Sequence, residues 1–144
     1  MALETKGTVK QARITWKDGK AFEAWGGSGH AIRLDADREK NTGLSPMELL
    51  LMGLGGCTAT DVVNILAKKR IEIKDYTVEV EGEQALDCPK VYTKIKVTHV
   101  LKGKGIPAKA VEDAIQLSEN KYCSASAMLA KTAQIETNYR IEDA

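Results

Sequence analysis

One segment limits the folds open to this 144-residue chain more than any other. Ser45-Pro46-Met47-Glu48 opens a helix. Ser45 can cap, Pro46 suits the first helical position, and Glu48 completes an S-x-x-E box that returns a bond to the cap residue. The pattern predicts a helix to about Arg70, with Lys68, Lys69 and Arg70 at the end where the helix dipole favours cations. Its first half, residues 49–57 (LLLMGLGGC), is apolar all round, and such a helix has to be enclosed by protein on every side. Gly53, Gly55 and Gly56 each cost about 1 kcal/mol relative to alanine there. A helix carrying that burden usually gains the close approach of another element. One small chain, whose sheets also need cover, has little material left to enclose this helix. An intertwined homodimer is the economical expectation, and a monomer with a softened or kinked helix is the alternative.

Around this helix the chain reads as a single domain, residues 1–144, with no repeat, linker or low-complexity segment. Residues 7–16 (Val9, Ala12, Ile14, Trp16), 21–25 and 31–34 predict three strands, the first half-buried, separated by Lys17-Asp18-Gly19 and Gly26-Gly27-Ser28-Gly29. Residues 35–43 are polar and read as a mobile loop. Tyr76, Val78 and Val80 alternate in one long strand and Val91, Ile95 and Val97 in the next, joined as a hairpin. Pro107 opens a second helix with Val111, Ala114, Ile115 and Ser118 on one face. A short third helix starts near Cys123-Ser124, and Ile135, Thr137, Tyr139 and Ile141 alternate in a closing strand. The order predicts an α+β domain with largely antiparallel sheet.

Lys plus Arg total 21 against 20 Asp plus Glu, a net charge of +1, which supplies no general pull toward nucleic acid or an anionic membrane. The apolar stretch 49–57 is shorter than the roughly 18–20 residues that span a bilayer. Glu4 and Lys6 interrupt the place where an export signal would be apolar, so the cytoplasm is the expected compartment. There, three cysteines are inert, redox-active or metal-binding rather than a disulfide framework.

Cys57, inside the apolar half of the helix, reads most simply as a packed thiol. Cys123 lies at a helix start, where free N–H groups and the dipole favour a thiolate. Cys88, between Asp87 and Pro89, reads as exposed and incidental. A metal centre is not expected, because the cysteines are 31 and 35 residues apart and the only histidines are His30 and His99. A Cys/His nucleophile would need a base beside the thiol, and neither histidine has a motif around it. His99 falls on the apolar side of its strand as a packing residue, and His30, in the glycine loop, is a candidate pocket residue. A reversible Cys57/Cys123 redox pair is the third reading.

The segment Ser45-Pro46-Met47-Glu48-Leu49-Leu50-Leu51-Met52-Gly53-Leu54-Gly55-Gly56-Cys57, with Asp61-Val62-Val63-Asn64-Ile65-Leu66 after it, resembles the central helix of the OsmC/Ohr family of osmotically inducible and organic hydroperoxide resistance proteins. Ser118-Glu119-Asn120-Lys121-Tyr122-Cys123-Ser124 resembles its second-cysteine motif as found in the YhfA-like subgroup, as does Gly29-His30 before Ile32. The resemblance implies an OsmC-like α+β homodimer and a thiol-dependent peroxidase for organic hydroperoxides. Cys57 would attack, Cys123 resolve, and Glu48 supply the active-site carboxylate. No cofactor and no metal is implied, and an external thiol, lipoyl-type in the family, would restore the dithiol. Nine helical steps put Glu48 and Cys57 on opposite faces, which points to a composite site at a subunit interface. The family's arginine has no matching motif here, although Arg33 and Arg38 lie in the corresponding region. A non-catalytic binding protein for an apolar or thiol-reactive small molecule is the alternative function.

Overall fold

The computed structural model describes residues 7–144, so Glu4 and Lys6, read above against an export signal, lie outside the described residues. The chain forms two compact units that meet in sequence between Leu49 and Leu50.

In the first unit, β1 (Ala12–Asp18), β2 (Ala21–Gly26) and β3 (Ala31–Asp35) pair antiparallel in that order. Gly19, at φ 49°, supplies the left-handed residue that the tight β1–β2 turn needs. Ile14 faces Ala24, which faces Ile32, and Trp16 faces Phe22, which faces Leu34. Strand alternation collects these six side chains on one face of the sheet. The predicted half-burial of the first strand does not hold within the single chain. β1 starts at Ala12 rather than residue 7, and all of it is exposed, with Ile14 at 54% and Trp16 at 64%.

The loop after β3 is more organised than its polar composition suggested. The buried Asp35 carboxylate accepts the N–H groups of Asp37 (2.9 Å) and Thr42 (3.2 Å) and the Thr42 hydroxyl. These bonds, led by the Thr42 hydroxyl, hold its pKa below the ordinary carboxylate range. Backbone bonds from Leu44 to Arg33 and from Asp35 to Leu44 tie the returning chain to β3. An Asx-type side chain has replaced missing apolar contacts as the organiser.

The predicted capping box forms at the start of α1 (Pro46–Lys68). The Ser45 N–H donates to Glu48 Oε1 at 2.8 Å, and the Glu48 N–H donates to Ser45 Oγ at 3.3 Å. The helix ends two residues before the predicted Arg70. Arg70 takes a left-handed φ of 59°, and the Ile71 N–H turns back to the Leu66 carbonyl at 3.0 Å.

In the second unit, β4 (Asp75–Gln84) and β5 (Tyr92–Lys102) form the predicted antiparallel hairpin. The chain then passes through α2 (Ala108–Leu117), a π-helical turn (Ser118–Tyr122) and α3 (Ser124–Leu129), and returns as β6 (Gln134–Glu142) parallel to β5. Val62 and Leu66 of α1 pack with Leu101 of β5 and with Val111, Ala114 and Ile115 of α2. Each valine, leucine or isoleucine among them stabilises the fold by roughly 1.5–3 kcal/mol when fully buried.

Only one stripe of α1 is buried: Leu54, Gly55, Thr58, Val62 and Leu66. Gly55 gives the close approach that its sequence position predicts, since a Cβ there would lie 3.1 Å from Val80 Cγ2. Among the described residues, a Cβ at Gly53 or Gly56 would meet nothing within 4 Å, and Leu50, Met52 and Val63 are more than two-fifths exposed. The expected enclosure on every side is thus not provided by one chain. By length and composition α1 could also cross a bilayer, a property the shorter stretch 49–57 had not suggested.

Gly82 on β4 is a second site of close approach, because a Cβ would fall 2.6 Å from the buried Tyr92 ring and 3.0 Å from Leu51. Gly82→Ala should therefore destabilise the protein by about 1–3 kcal/mol in urea unfolding. Gly53→Ala should not destabilise a lone chain in the same measurement, because it removes a helix-interior glycine and meets no atom.

Candidate functional site

Cys57 projects from α1 half-buried, and Asp61 stands one turn further along, where i and i+4 side chains share a face. The third member arrives from a distant part of the chain. After α2 the backbone widens into the π turn, which closes with the Cys123 N–H on the Ser118 carbonyl at 2.7 Å. This single wide turn does two things. It aims the fully buried Ser118 hydroxyl at α1, and it delivers Cys123 as the N-cap of α3. The two sulfurs and a carboxylate oxygen of Asp61 all lie within 4.8 Å of one another. All three cysteines are free thiols.

A buried network positions this group. Ser118 Oγ donates to Asp61 Oδ2 at 2.9 Å, and Ser118 Oγ and Thr58 Oγ1 share a second bond of 2.9 Å. Removing the shared hydroxyl with Ser118→Ala leaves the buried Thr58 and the half-buried Asp61 each short of a bond. It should cost about 1–3 kcal/mol in chemical denaturation. Asp61, Thr58 and Ser118 were not singled out from the sequence as site residues. The usable signal was a lone carboxylate four residues after a helical cysteine.

Cys123 departs from the expected thiolate. Its Sγ does accept the Ser126 N–H at 3.4 Å, as a cap residue should. Burial pushes the thiol pKa up all the same, and the neighbouring Cys57 adds to the rise. A helix of six residues offers too little to offset the loss of water.

The other predicted residues are each held by local contacts of their own. Glu48 is occupied by the capping box, and its pKa is lowered, first by the Ser45 backbone N–H. Arg33, on β3, donates from Nε to Thr42 Oγ1 at 3.0 Å, and Arg38 is exposed in the loop that follows. His30 is exposed, with Nδ1 3.2 Å from Ser28 Oγ. Cys88 is exposed in the β4–β5 connection. His99 is the packing residue that was expected. It is fully buried, stacked on Tyr76 at 5.9 Å between ring centres, and its Nδ1 lies 2.6 Å from the Tyr76 hydroxyl. A cavity of about 330 Å³ opens beside Asp61, lined by Ile65 and Leu117 but also by Asn64, Lys68, Lys69 and Tyr122. Its walls thus join two aliphatic side chains to polar and charged ones.

With the dithiol geometry in place, comparison with known proteins decides the family. The OsmC-like protein family matches residues 39–138. This chain belongs to the OsmC-like family. It is similar to protein YhfA of Escherichia coli strain K12, with 37% identity over 131 residues, 91% of this chain and 97% of that one. The solved structure of a hypothetical protein from Aquifex aeolicus VF5 is 33% identical, covers 96% of this chain and 99% of its own, and superposes with a TM-score of 0.86. The organic hydroperoxide resistance protein OhrB of Bacillus subtilis shares the fold at 16% identity, with a TM-score of 0.64 over 92% of this chain and 98% of that one. In this OsmC-like chain, α1 is the core helix of the fold rather than a membrane span.

Proposed function

We infer that this OsmC-like protein is a cytoplasmic, thiol-dependent peroxidase that reduces organic hydroperoxides through Cys57 and Cys123. One observation carries the reading: two free thiols from separate elements lie within 4.8 Å, so side-chain rotation rather than refolding separates them from a bond. The Cys57 thiolate attacks the outer peroxide oxygen. The O–O bond breaks, the alkoxide leaves and takes a proton, and Cys57 becomes a sulfenic acid. The Cys123 sulfur then attacks Cys57, expelling water and forming the disulfide. One equivalent of an external dithiol, of lipoyl type by family resemblance, reduces it again by thiol–disulfide exchange and leaves as its own disulfide. A Cys123 thiol kept protonated by burial competes poorly for peroxide, which suits it to the second step.

The working unit in this reading is a homodimer of one OsmC-like domain per chain. The sheet face bearing Ile14, Trp16 and Ile32 and the helix face bearing Leu50, Met52, Gly53 and Gly56 are both apolar and open in the single chain. Surfaces of that kind are normally covered by a partner. α1 runs unbroken from Pro46 to Lys68, so the opposite-face relation between Glu48 and Cys57 stands. The site carboxylate is accordingly assigned to Glu48 of the partner subunit. Light scattering should return about twice the 15.7 kDa chain mass.

The direct test is to treat reduced protein with one equivalent of cumene hydroperoxide and count thiols. Two of the three should disappear, with a loss of two hydrogen atoms in the intact mass and no covalent dimer. Retention of all three thiols would reject the peroxidase and leave the small-molecule binding protein.

A further inference from the structure

We propose that the reduced dithiol, together with Asp61, is a binding site for a thiophilic divalent cation of the zinc class. The sequence spacing argued against a metal centre because it lacks paired cysteines and flanking histidines. Folding supplies what the spacing does not. Cys57 Sγ, Cys123 Sγ and an Asp61 carboxylate oxygen converge within 4.8 Å, the one such three-ligand group among the described residues. A tetrahedral zinc site with Zn–S near 2.3 Å and Zn–O near 2.0 Å needs ligand atoms roughly 3.5–3.8 Å apart. Side-chain rotation of about 1 Å closes the difference. Two of the ligands come from one helix face at i and i+4, a spacing that projects both toward a single point.

The surroundings are also those of a ligand set. Asp61 offers two oxygens, and one is already engaged by the buried Ser118 hydroxyl at 2.9 Å, itself bonded to Thr58. Such an outer bond fixes a ligating carboxylate and leaves its other oxygen for the metal. Cys123 Sγ receives the Ser126 N–H, a donor well suited to thiolate sulfur carrying extra charge. Two sulfurs select a soft or borderline cation over magnesium or calcium. Three protein ligands leave a fourth position for water. Binding replaces two S–H bonds by two S–metal bonds and releases two protons to solvent. The site exists only in the dithiol form, because a disulfide has no thiolate to donate. The corollary that the bound cation shields the thiols from peroxide rests on the peroxidase reading, whereas the binding itself does not.

Cobalt is the probe, since Co²⁺ bound by thiolate gives a near-ultraviolet charge-transfer band. Reduced full-length protein should develop the band to one equivalent per chain, lose it on addition of Zn²⁺, and keep it in excess Mg²⁺. Cys88→Ser should behave as wild type. Cys57→Ser and Cys123→Ser should each lower the band, and the nearly isosteric Asp61→Asn should weaken binding about tenfold or more. Oxidised wild-type protein, whose fold is unaltered by substitution, should give no band. Absence of the band in the reduced protein overturns the proposal, as does an undiminished band in either cysteine variant. Unchanged affinity in Asp61→Asn overturns the three-ligand site. The readout needs no peroxide turnover, so failure here and failure of the peroxidase reading are separate results.

Discussion

Replacing Cys57 by serine should abolish dithiol-coupled turnover of cumene hydroperoxide, lowering kcat/KM by about 10³-fold or more. That loss corresponds to about 4 kcal/mol of transition-state stabilisation. Serine keeps the shape and the position on α1 but offers a hydroxyl in place of a highly nucleophilic sulfur. Cys123→Ser should behave differently. The first equivalent of peroxide should still react, leaving Cys57 one oxygen heavier in the intact mass, and steady-state turnover should then stall for want of an internal partner. Cys88→Ser should match wild type, since that thiol is exposed in the β4–β5 connection. Equal rates for wild type and Cys57→Ser would remove Cys57 from the chemistry.

Acid should unfold this protein through His99 before most of its surface carboxylates matter. His99 is fully buried in β5, its Nε2 has no hydrogen-bond partner among the described residues, and burial lowers its pKa from 6.5 to about 4. The neighbouring Tyr76 is pushed the opposite way, well above the ordinary phenol range, for the same reason. Since the folded pKa of His99 lies below the unfolded one, the unfolded chain binds the proton first as pH falls. The neutral ring's stabilising contribution is intact above pH 6.5 and is lost progressively down to about pH 4. The loss should reach about 2.5 kcal/mol at pH 4.5. His99→Gln can keep a bond to the Tyr76 hydroxyl and cannot ionise. The fall in unfolding free energy between pH 7.5 and pH 4.5 should shrink by about that amount in this variant. An unchanged fall would assign the acid sensitivity to other groups.

The sequence by itself determined those features whose causes are local. The S-x-x-E box at Ser45–Glu48 predicts its own two hydrogen bonds, because cap and carboxylate are three residues apart and need no tertiary partner. The β4–β5 hairpin follows from alternation, and His99 was legible as a packing residue because it falls on the buried side of that alternation. Family membership was legible from the residues around Cys57 and Cys123, and the match over residues 39–138 bears it out.

Tertiary structure decided the rest, for reasons that periodicity does not encode. The order of the loop after β3 comes from one buried carboxylate that gathers Asp37 and Thr42, a polar organisation that composition cannot distinguish from a solvated loop. The elevated Cys123 pKa comes from burial, which outweighs the helix start that the sequence did show. Most of all, the site depends on one wide turn at Ser118–Tyr122, which brings the second sulfur and a buried hydroxyl back to α1. Spacing along the chain is blind to that convergence, since Asp61 acquires meaning only when Cys123 and Ser118 arrive beside it.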